Sequence, residues 1–346
     1  MQGFDAVVIG GGMAGVSIAH ELAADRRVCL LEAEHTLAQH TTGRSAATWV
    51  GSYGPPVVRR LTAASRPFLD DPPLDVDGPV LAPLPCLYAG GPGTSEQVRG
   101  LAEATGIAVL DAAEARRVNP ALRPEWLELA AYDDTSMEVD VHGLHQGYAR
   151  GLRKHGGVVR TDSRVSAARR DGGGWVVEAG GETVTAPLVV DAAGAWGDEV
   201  AALFGAAPVG LRPRRRTVFL SAPATPSGPG FTIEVGHRWY FKPEGEALLC
   251  SPADETGEQP GDPRPDSLEI ARALDEINEA TTLGLRSVRT AWAGQRTFAP
   301  SGEPVARFDD TVEGFFWYVG QGGYGIQMAA GLAQESAALI RAAGAG

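Results

Sequence analysis

Short, largely apolar runs, several of them ending in glycine, recur along this chain and set its first prediction. Residues 4–10, FDAVVIG, and 28–32, VCLLE, show no alternation of polar and apolar positions. That is the pattern of strands covered on both faces. Residues 13–24 between them have helical periodicity, so the three segments read as a βαβ unit. The stretch TVTAPLVVDAAGAWGD predicts a second buried strand that ends in a glycine turn, and FFWYVG, 315–320, predicts a third. This third strand feeds GQGGYGIQMAAG, a glycine turn that opens straight into a last helix running to about residue 341.

Further helices are predicted over 55–70, from Thr94 with Gln97 spaced as a capping box, from Asp111, over 140–157 with Asp140 as cap and Gly156 as stop, and across DSLEIARALDEINEATT. Residues 217–251 alternate as antiparallel strands, among them TVFLS, RWYFKP and EALLCS. Residues 71–93 are rich in proline and glycine and predict short strands at most. The three strand–glycine–helix turns, at residues 10, 194 and 320, are far apart in sequence. They predict one nucleotide-binding domain assembled from 1–47, 138–210 and 286–346, with a second domain, 48–137 and 211–285, inserted between its pieces.

Charge narrows the partners. The 346 residues carry a net charge of −13 and a pI near 5.0, which excludes nucleic acid and anionic membrane as main partners. Lys154 and Lys242 are the only lysines, so the positive charge is almost all arginine, the better residue for a planar grip on a carboxylate. Cys29, Cys86 and Cys250 are too few and scattered for a disulfide framework or a zinc knuckle, and they fit a reducing cytoplasm. The N-terminus runs directly into a strand without a leader pattern, and no stretch reaches the ~18 apolar residues of a membrane span.

Candidate chemistry begins at GGGMAG. Gly10, Gly12 and Gly15 stand in GxGxxG register between a strand and a helix, and Glu32 ends the next strand. The glycines permit a tight turn and close backbone approach to a pyrophosphate; the helix start, with Met13 and Ala14, supplies N–H groups; Glu32 accepts ribose hydroxyls and argues against a 2′-phosphate. The plainer reading is a tight turn with no ligand. HTTGRSAATWVGSYG, 40–54, would in a flavoprotein run along the ribityl chain and the back of the ring system; otherwise it is a surface loop. QGGYGIQ, 321–327, offers a second helix N-terminus, free to stabilise negative charge on the far end of the cofactor, or else a packing turn. Arg214, Arg215 and Arg216 stand at a strand entrance; the first two read as solvated surface charges, while strand alternation lets one of the three point inward. Arg296 follows a tight glycine turn. Tyr53 and Tyr240 are either phenolic hydrogen-bonding groups or ordinary packed aromatics. His142 and His145, one helical turn apart without further ligands, read as structural, and neither lysine stands in a Schiff-base context. GxxxxGK[ST], HExxH, GxSxG and CxxC do not occur.

With HTTGRSAA, LTAASRPFLDDPP, LHQGYARGLR, DAAGAWGD, WAGQRTF and EGFFWYVGQGGYGIQ, the chain resembles the D-amino acid oxidase/dehydrogenase superfamily of flavoproteins over nearly its whole length, and within it the D-arginine dehydrogenases. The resemblance implies an α/β fold: a Rossmann-like FAD-binding domain with an inserted α+β substrate domain containing a mainly antiparallel sheet. It implies noncovalent FAD, since RTFAPSGEP holds no cysteine to tether it. The implied reaction is oxidation of the Cα–N bond of an amino acid by hydride transfer to flavin N5, giving an imino acid that hydrolyses to a 2-oxo acid and ammonia. Arg216 and Arg296 match the arginines that grip the substrate carboxylate, Tyr53 and Tyr240 the tyrosines that flank it, and Gly323 lies beside the amine. Around the cofactor the resemblance adds Ala33, Thr42, Gly43, Arg44, Ser45, Ala47, Val165, Ala193, Gly194, Trp196, Gly322, Tyr324, Gly325, Ile326 and Gln327.

Two positions depart from the D-arginine dehydrogenases. Cys86 stands where a glutamate pairs with the cationic end of D-arginine, and Thr48 where a histidine lies near the substrate. An unpaired buried guanidinium costs several kcal/mol, so the expected substrate is a neutral or apolar D-amino acid. Oxidation of an N-methyl or cyclic secondary amino acid, or an amine-oxidising step in a specialised pathway, is the alternative. EALLCSPAD lacks the lysine with which some sarcosine oxidases activate oxygen, which leans toward a dehydrogenase whose electron acceptor is a quinone, a carrier or oxygen.

Overall fold

Five apolar strands lie side by side and parallel in the computed structural model, which describes residues 2–225, 227–228 and 230–344. Their order is Val158–Arg160, Val28–Leu31, Ala6–Ile9, Leu188–Asp191 and Phe315–Val319, and Val305–Phe308 closes the sheet antiparallel. Alternate side chains leave on opposite faces. Val8, Leu30, Val190 and Tyr318 pack with Val16, Leu22, Leu144, Tyr148, Leu332 and Ile340 of helices Met13–Ala23, Val141–Lys154 and Ala329–Ala343. Val7, Leu31, Val189 and Trp317 pack on Trp175, Val177 and Val184 of a small sheet, Val165–Asp171, Gly174–Ala179 and Glu182–Ala186. Both faces are covered, which is why these strands read as unbroken apolar runs.

The sequence TVTAPLVVD forms two strands rather than one. Glu182–Ala186 belongs to the small sheet and Leu188–Asp191 to the parallel sheet. Pro187 stands between them; it has no N–H for a ladder, and the chain changes sheets there.

A nine-stranded sheet stands beside the first. Its order is Gln321–Gly322, Val288–Phe298, Arg212–Ser221, Ala247–Ser251, Tyr240–Glu244, Phe231–Glu234, Cys86–Gly90, Leu129–Asp133 and Ala108–Asp111. Phe231–Glu234 and Cys86–Gly90 pair in parallel; every other pairing is antiparallel. Helix Ser267–Ala280 covers one face, seating Ile270, Ala273 and Ile277 on Phe219, Phe241 and Cys250. The architecture is thus the α/β fold with a mainly antiparallel second sheet that the sequence predicts.

Within 71–93 the short strands are Leu81–Pro83 and Cys86–Gly90, the latter fully buried in the interior of the large sheet because its apolar residues fill both faces. Two local expectations change. Thr94 does not cap its helix: its hydroxyl donates to Gly91 O, and the reciprocal capping box forms instead between Asp111 and Glu114. The last helix begins only at Ala329; residues 323–328 form successive turns, with Tyr324 N–H donating to Gln321 O and Met328 N–H to Tyr324 O.

Asp191 ends the Leu188–Asp191 strand with no exposed surface. One carboxylate oxygen accepts the Ala193 N–H at 3.0 Å and the other has no partner. Burial, reinforced by Asp198 and opposed by that N–H, pushes its pKa from 3.8 up to about 8. Between these values the folded protein holds a proton that the unfolded chain has lost, so stability falls as pH rises, by up to about 1.4 kcal/mol per pH unit. Asp191→Asn keeps an oxygen for Ala193 and removes this slope. Thermal unfolding of the flavin-loaded protein from pH 5 to pH 8 should show the variant gaining on the native protein toward the alkaline end; parallel curves would refute the assignment.

Candidate active site

The C-terminal ends of the parallel strands open into a cleft of about 510 Å³. At Gly10, with φ 108°, the chain turns from the Ala6–Ile9 strand, and a Cβ on Gly15 would lie 1.7 Å from Gly10 O. The helix therefore sits against its own entry turn at a distance only glycine allows. Glu32 accepts the Gly11 N–H at 2.6 Å and the Glu34 N–H at 2.8 Å. His145 Nε2 lies 2.9 Å from Gly11 O, where the N–H tautomer would donate to it, and Thr42 Oγ1 accepts the Met13 N–H at 3.0 Å. His145 is thus structural, as its sequence context predicts. Among the described residues the N–H groups of Gly12 and Ala14 find no acceptor.

The next wall is the Thr41–Arg44 turn. Gly43 is packed against Ala38 O, Thr41 Oγ1 donates to Gln295 O at 2.7 Å, and Arg44 Nη1 donates to Ala293 O at 2.9 Å. These bonds fix the turn over Gly294. Ala33, Ser45, Ala47, Val165, Ala193, Gly194 and Trp196 also line the cleft, with the His40 ring packed at a tilt against Trp196, centroids 4.8 Å apart.

Gly322, Gly323, Gly325, Ile326 and Gln327 close the far end. The N–H groups of Gly325, Ile326 and Gln327 have no acceptor among the described residues. A turn of free N–H groups, and not the helix start predicted from sequence, therefore faces this end; such a nest attracts negative charge by the same dipoles. Gln327 is buried and bridges Val50 N–H, Thr62 Oγ1 and Tyr53 O.

Arg296, Arg216, Tyr240 and Thr48 line the same end. Arg296 Nη1 lies 3.3 Å from the Tyr53 hydroxyl, and a Cβ on Gly323 would lie 2.8 Å from that nitrogen. The Tyr53 ring packs on Tyr324 at 5.1 Å and on His237 at 5.8 Å, at the rim rather than in the cleft wall. Burial, and secondarily Tyr53, pushes the Tyr324 phenol up to about 12. Burial and the Arg216 charge lower His237, which keeps its imidazole neutral near pH 7.

Sequence reasoning and structure part at several residues. Gly15, Gly43, Tyr53 and Tyr324 support the cleft without lining it. Cys86 is not in it either: its thiol has no exposed surface, and its strand pairs with Phe231–Glu234 on one side and Leu129–Asp133 on the other. Burial, then Asp133, raises this thiol well above its ordinary range. Arg215 is no solvated charge; it pairs with Asp254, Glu258 and Asp266. Arg216 is not free, since its Nη2 donates to Glu255 Oε1 at 2.9 Å and its Nε to Asp254 O at 2.9 Å. Glu255 and His237 were missed, because a lone carboxylate or histidine in a loop carries no motif. Lys242 is almost fully buried and paired with Glu138 and Glu244.

Residues 5–339 match the family model described as DAO, FAD dependent oxidoreductase. Over 97% of its length the chain is 26% identical to FAD-dependent oxidoreductase domain-containing protein 1 of Bos taurus, covering 81% of that protein. Its fold is similar to those of glycine oxidase from Geobacillus kaustophilus, with a TM-score of 0.83 at 20% identity, covering 99% of this chain and 94% of the other. It is similar also to L-α-glycerophosphate oxidase from Mycoplasma pneumoniae with FAD bound, with a TM-score of 0.88 at 18% identity, covering 99% and 95%.

The cleft fits FAD on its donor set. It offers N–H groups at both ends and buried polar atoms on lining residues His40, Tyr240 and Gln321 that are without partners among the described residues, and a carboxylate at Glu32. If the glycine turn carries that fit, Gly15→Ala purifies with little or no flavin and loses several kcal/mol of stability, because its Cβ collides with backbone. Gly100→Ala, mid-helix with nothing within 4 Å, should keep its flavin and gain about 1 kcal/mol. The flavin-to-protein ratio and unfolding midpoint of both variants decide this; full flavin content in Gly15→Ala would contradict it. The match over residues 5–339 and the cleft built from that same span lead to one assignment: the chain belongs to the DAO family of FAD-dependent oxidoreductases.

Proposed function

We propose that this enzyme oxidises the Cα–N bond of an amino acid carrying one carboxylate, and that a neutral or apolar D-amino acid is its substrate. The observation that carries the reading is Arg296: a guanidinium in the cleft wall whose partner among the described residues is the Tyr53 hydroxyl, with no carboxylate on it. Arg296 is half-buried, and a partly desolvated cation without a carboxylate on it is an anion receptor. In this reading the substrate carboxylate seats on Arg296, Tyr53 orients that guanidinium, and the amine lies toward Gly323 and is neutral when it reacts. Tyr240 and Val218 form the adjoining wall.

The flavin, when bound, supplies the two-electron acceptor. The division into 1–47, 138–210 and 286–346 for FAD and 48–137 and 211–285 for substrate belongs to the same proposal. So do noncovalent FAD, a cytoplasmic location and transfer of electrons to a quinone, carrier or oxygen. No helix among the described residues is long and apolar enough to cross a membrane.

The preference for a neutral side chain rests on charge, not on Cys86. Arg214 and Arg216 share the single carboxylate of Glu255, and Arg296 has none, so this end of the cleft is short of negative charge. It attracts one carboxylate and disfavours a second cation such as the side chain of D-arginine. The D configuration, and the kinship with D-arginine dehydrogenases, rest on the shared sequence stretches.

Anaerobic mixing of the flavin-loaded protein with D-, L- and N-methyl amino acids and with sn-glycerol 3-phosphate tests this directly. Neutral D-amino acids should bleach the flavin fastest and D-arginine slowly. Arg296→Met should lose about a thousandfold in kcat/KM, the worth of a charged bidentate contact. Bleaching by N-methyl amino acids alone would move the substrate to secondary amines; bleaching by the glycerol phosphate alone would overturn the amino acid reading.

A further inference from the structure

The pairing of Arg212–Ser221 with Val288–Phe298 creates a charge problem. Arg214 stands directly opposite Arg296, and Arg216 opposite Gly294, so three guanidinium groups leave one face of two adjacent strands. Like charges at opposite positions repel. A single carboxylate answers two of them: Glu255 Oε2 accepts from Arg214 Nη1 at 2.7 Å, and its Oε1 from Arg216 Nη2 at 2.9 Å.

Glu255 is not on a loose loop. Ala253, with φ 53°, redirects the chain after Ala247–Ser251, and residues 254–258 then run along the edge of Arg212–Ser221. Arg215 N–H donates to Thr256 O at 2.8 Å, Glu258 N–H to Pro213 O at 3.1 Å, and Arg216 Nε to Asp254 O at 2.9 Å. In an extended stretch neighbouring side chains face opposite ways. Asp254 accordingly meets Arg215 and Thr217 behind the sheet, while Glu255 meets Arg214 and Arg216 in front.

We propose that Glu255 is a specificity-determining residue: a built-in carboxylate that occupies the Arg216 guanidinium, leaves Arg296 as the single anion receptor, and so excludes substrates with a second carboxylate. The inference rests on the amino acid reading above. A monocarboxylate seats on Arg296 without competing with Glu255. The second carboxylate of a dicarboxylic amino acid would need Arg216, finds it paired, and is repelled by the charge that pairs it. Removing that charge turns the three-arginine face into a receptor for two carboxylates.

The test uses non-oxidisable ligands and the FAD-loaded protein. Propionate and succinate are titrated against the native protein, Glu255→Gln, Glu255→Ala and the double variant Glu255→Gln/Arg216→Met, reading the shift in flavin absorbance. Two Glu255 variants are used so that poor folding of one leaves the other. The ratio of the propionate Kd to the succinate Kd should rise about tenfold or more when Glu255 loses its charge. That rise should vanish in the double variant. An unchanged ratio, with propionate still binding, overturns the role of Glu255 alone. Failure of both ligands to perturb the flavin in every protein overturns this inference together with the amino acid reading.

Discussion

One strand register governs the substrate end of this molecule. Arg212–Ser221 pairs with Val288–Phe298 along almost its full length, and Val288–Phe298 pairs in turn with Gln321–Gly322. The first pairing puts Arg214, Arg216 and Arg296 on one face. The second ties that face to the glycine turn that follows the parallel strand Phe315–Val319. A slip of one residue would turn the arginines into the opposite face of the sheet and break both relations. The acidic residues follow from this constraint: Asp254, Glu258 and Asp266 neutralise Arg215 on the far face, and Glu255 neutralises two of the three arginines on the near one. Arg296 is left without a carboxylate among the described residues, and the proposed chemistry rests on that remainder.

The cofactor end depends on close backbone approach. Gly15 touches Gly10, Gly43 touches Ala38, and Gly323 touches the Arg296 side chain. At Gly15 and Gly43 the neighbour is backbone and admits no Cβ, whereas a Cβ at Gly323 would have to displace the Arg296 guanidinium; the cofactor end is thus shaped by main chain, and its donors are N–H groups fixed before a ligand arrives. His145 reinforces this by meeting Gly11 O from a neighbouring helix. Histidine here acts as a prop for a loop that side-chain patterning alone does not show.

The parallel sheet and its glycine turns were legible in the sequence because both signals are local: an apolar run of strand length, then glycine where the chain must turn. The same holds for Asp140, which caps its helix as read. What the sequence hid depends on contacts between distant segments. Pro187 splits a strand between two sheets that only the fold brings together. Cys86 aligned with a substrate-contacting position, yet its strand is buried on both sides and its thiol lies in the core. Glu255 carries no motif; its position follows from a left-handed alanine and a strand edge. Arg214, Arg215 and Arg216 are consecutive and alike in sequence; all three are ion-paired, and only the fold shows that Arg216 also lines the cleft while Arg215 faces the other side of the sheet.

The most direct check is a crystal structure of the FAD-loaded protein with 2-aminoisobutyrate, an amino acid whose Cα bears no hydrogen and so cannot be oxidised. The account predicts its carboxylate on Arg296 beside the Tyr53 hydroxyl, its amine toward Gly323, and Glu255 still bound to Arg214 and Arg216. A carboxylate seated away from Arg296, or a flavin ring remote from Gly323, would contradict it.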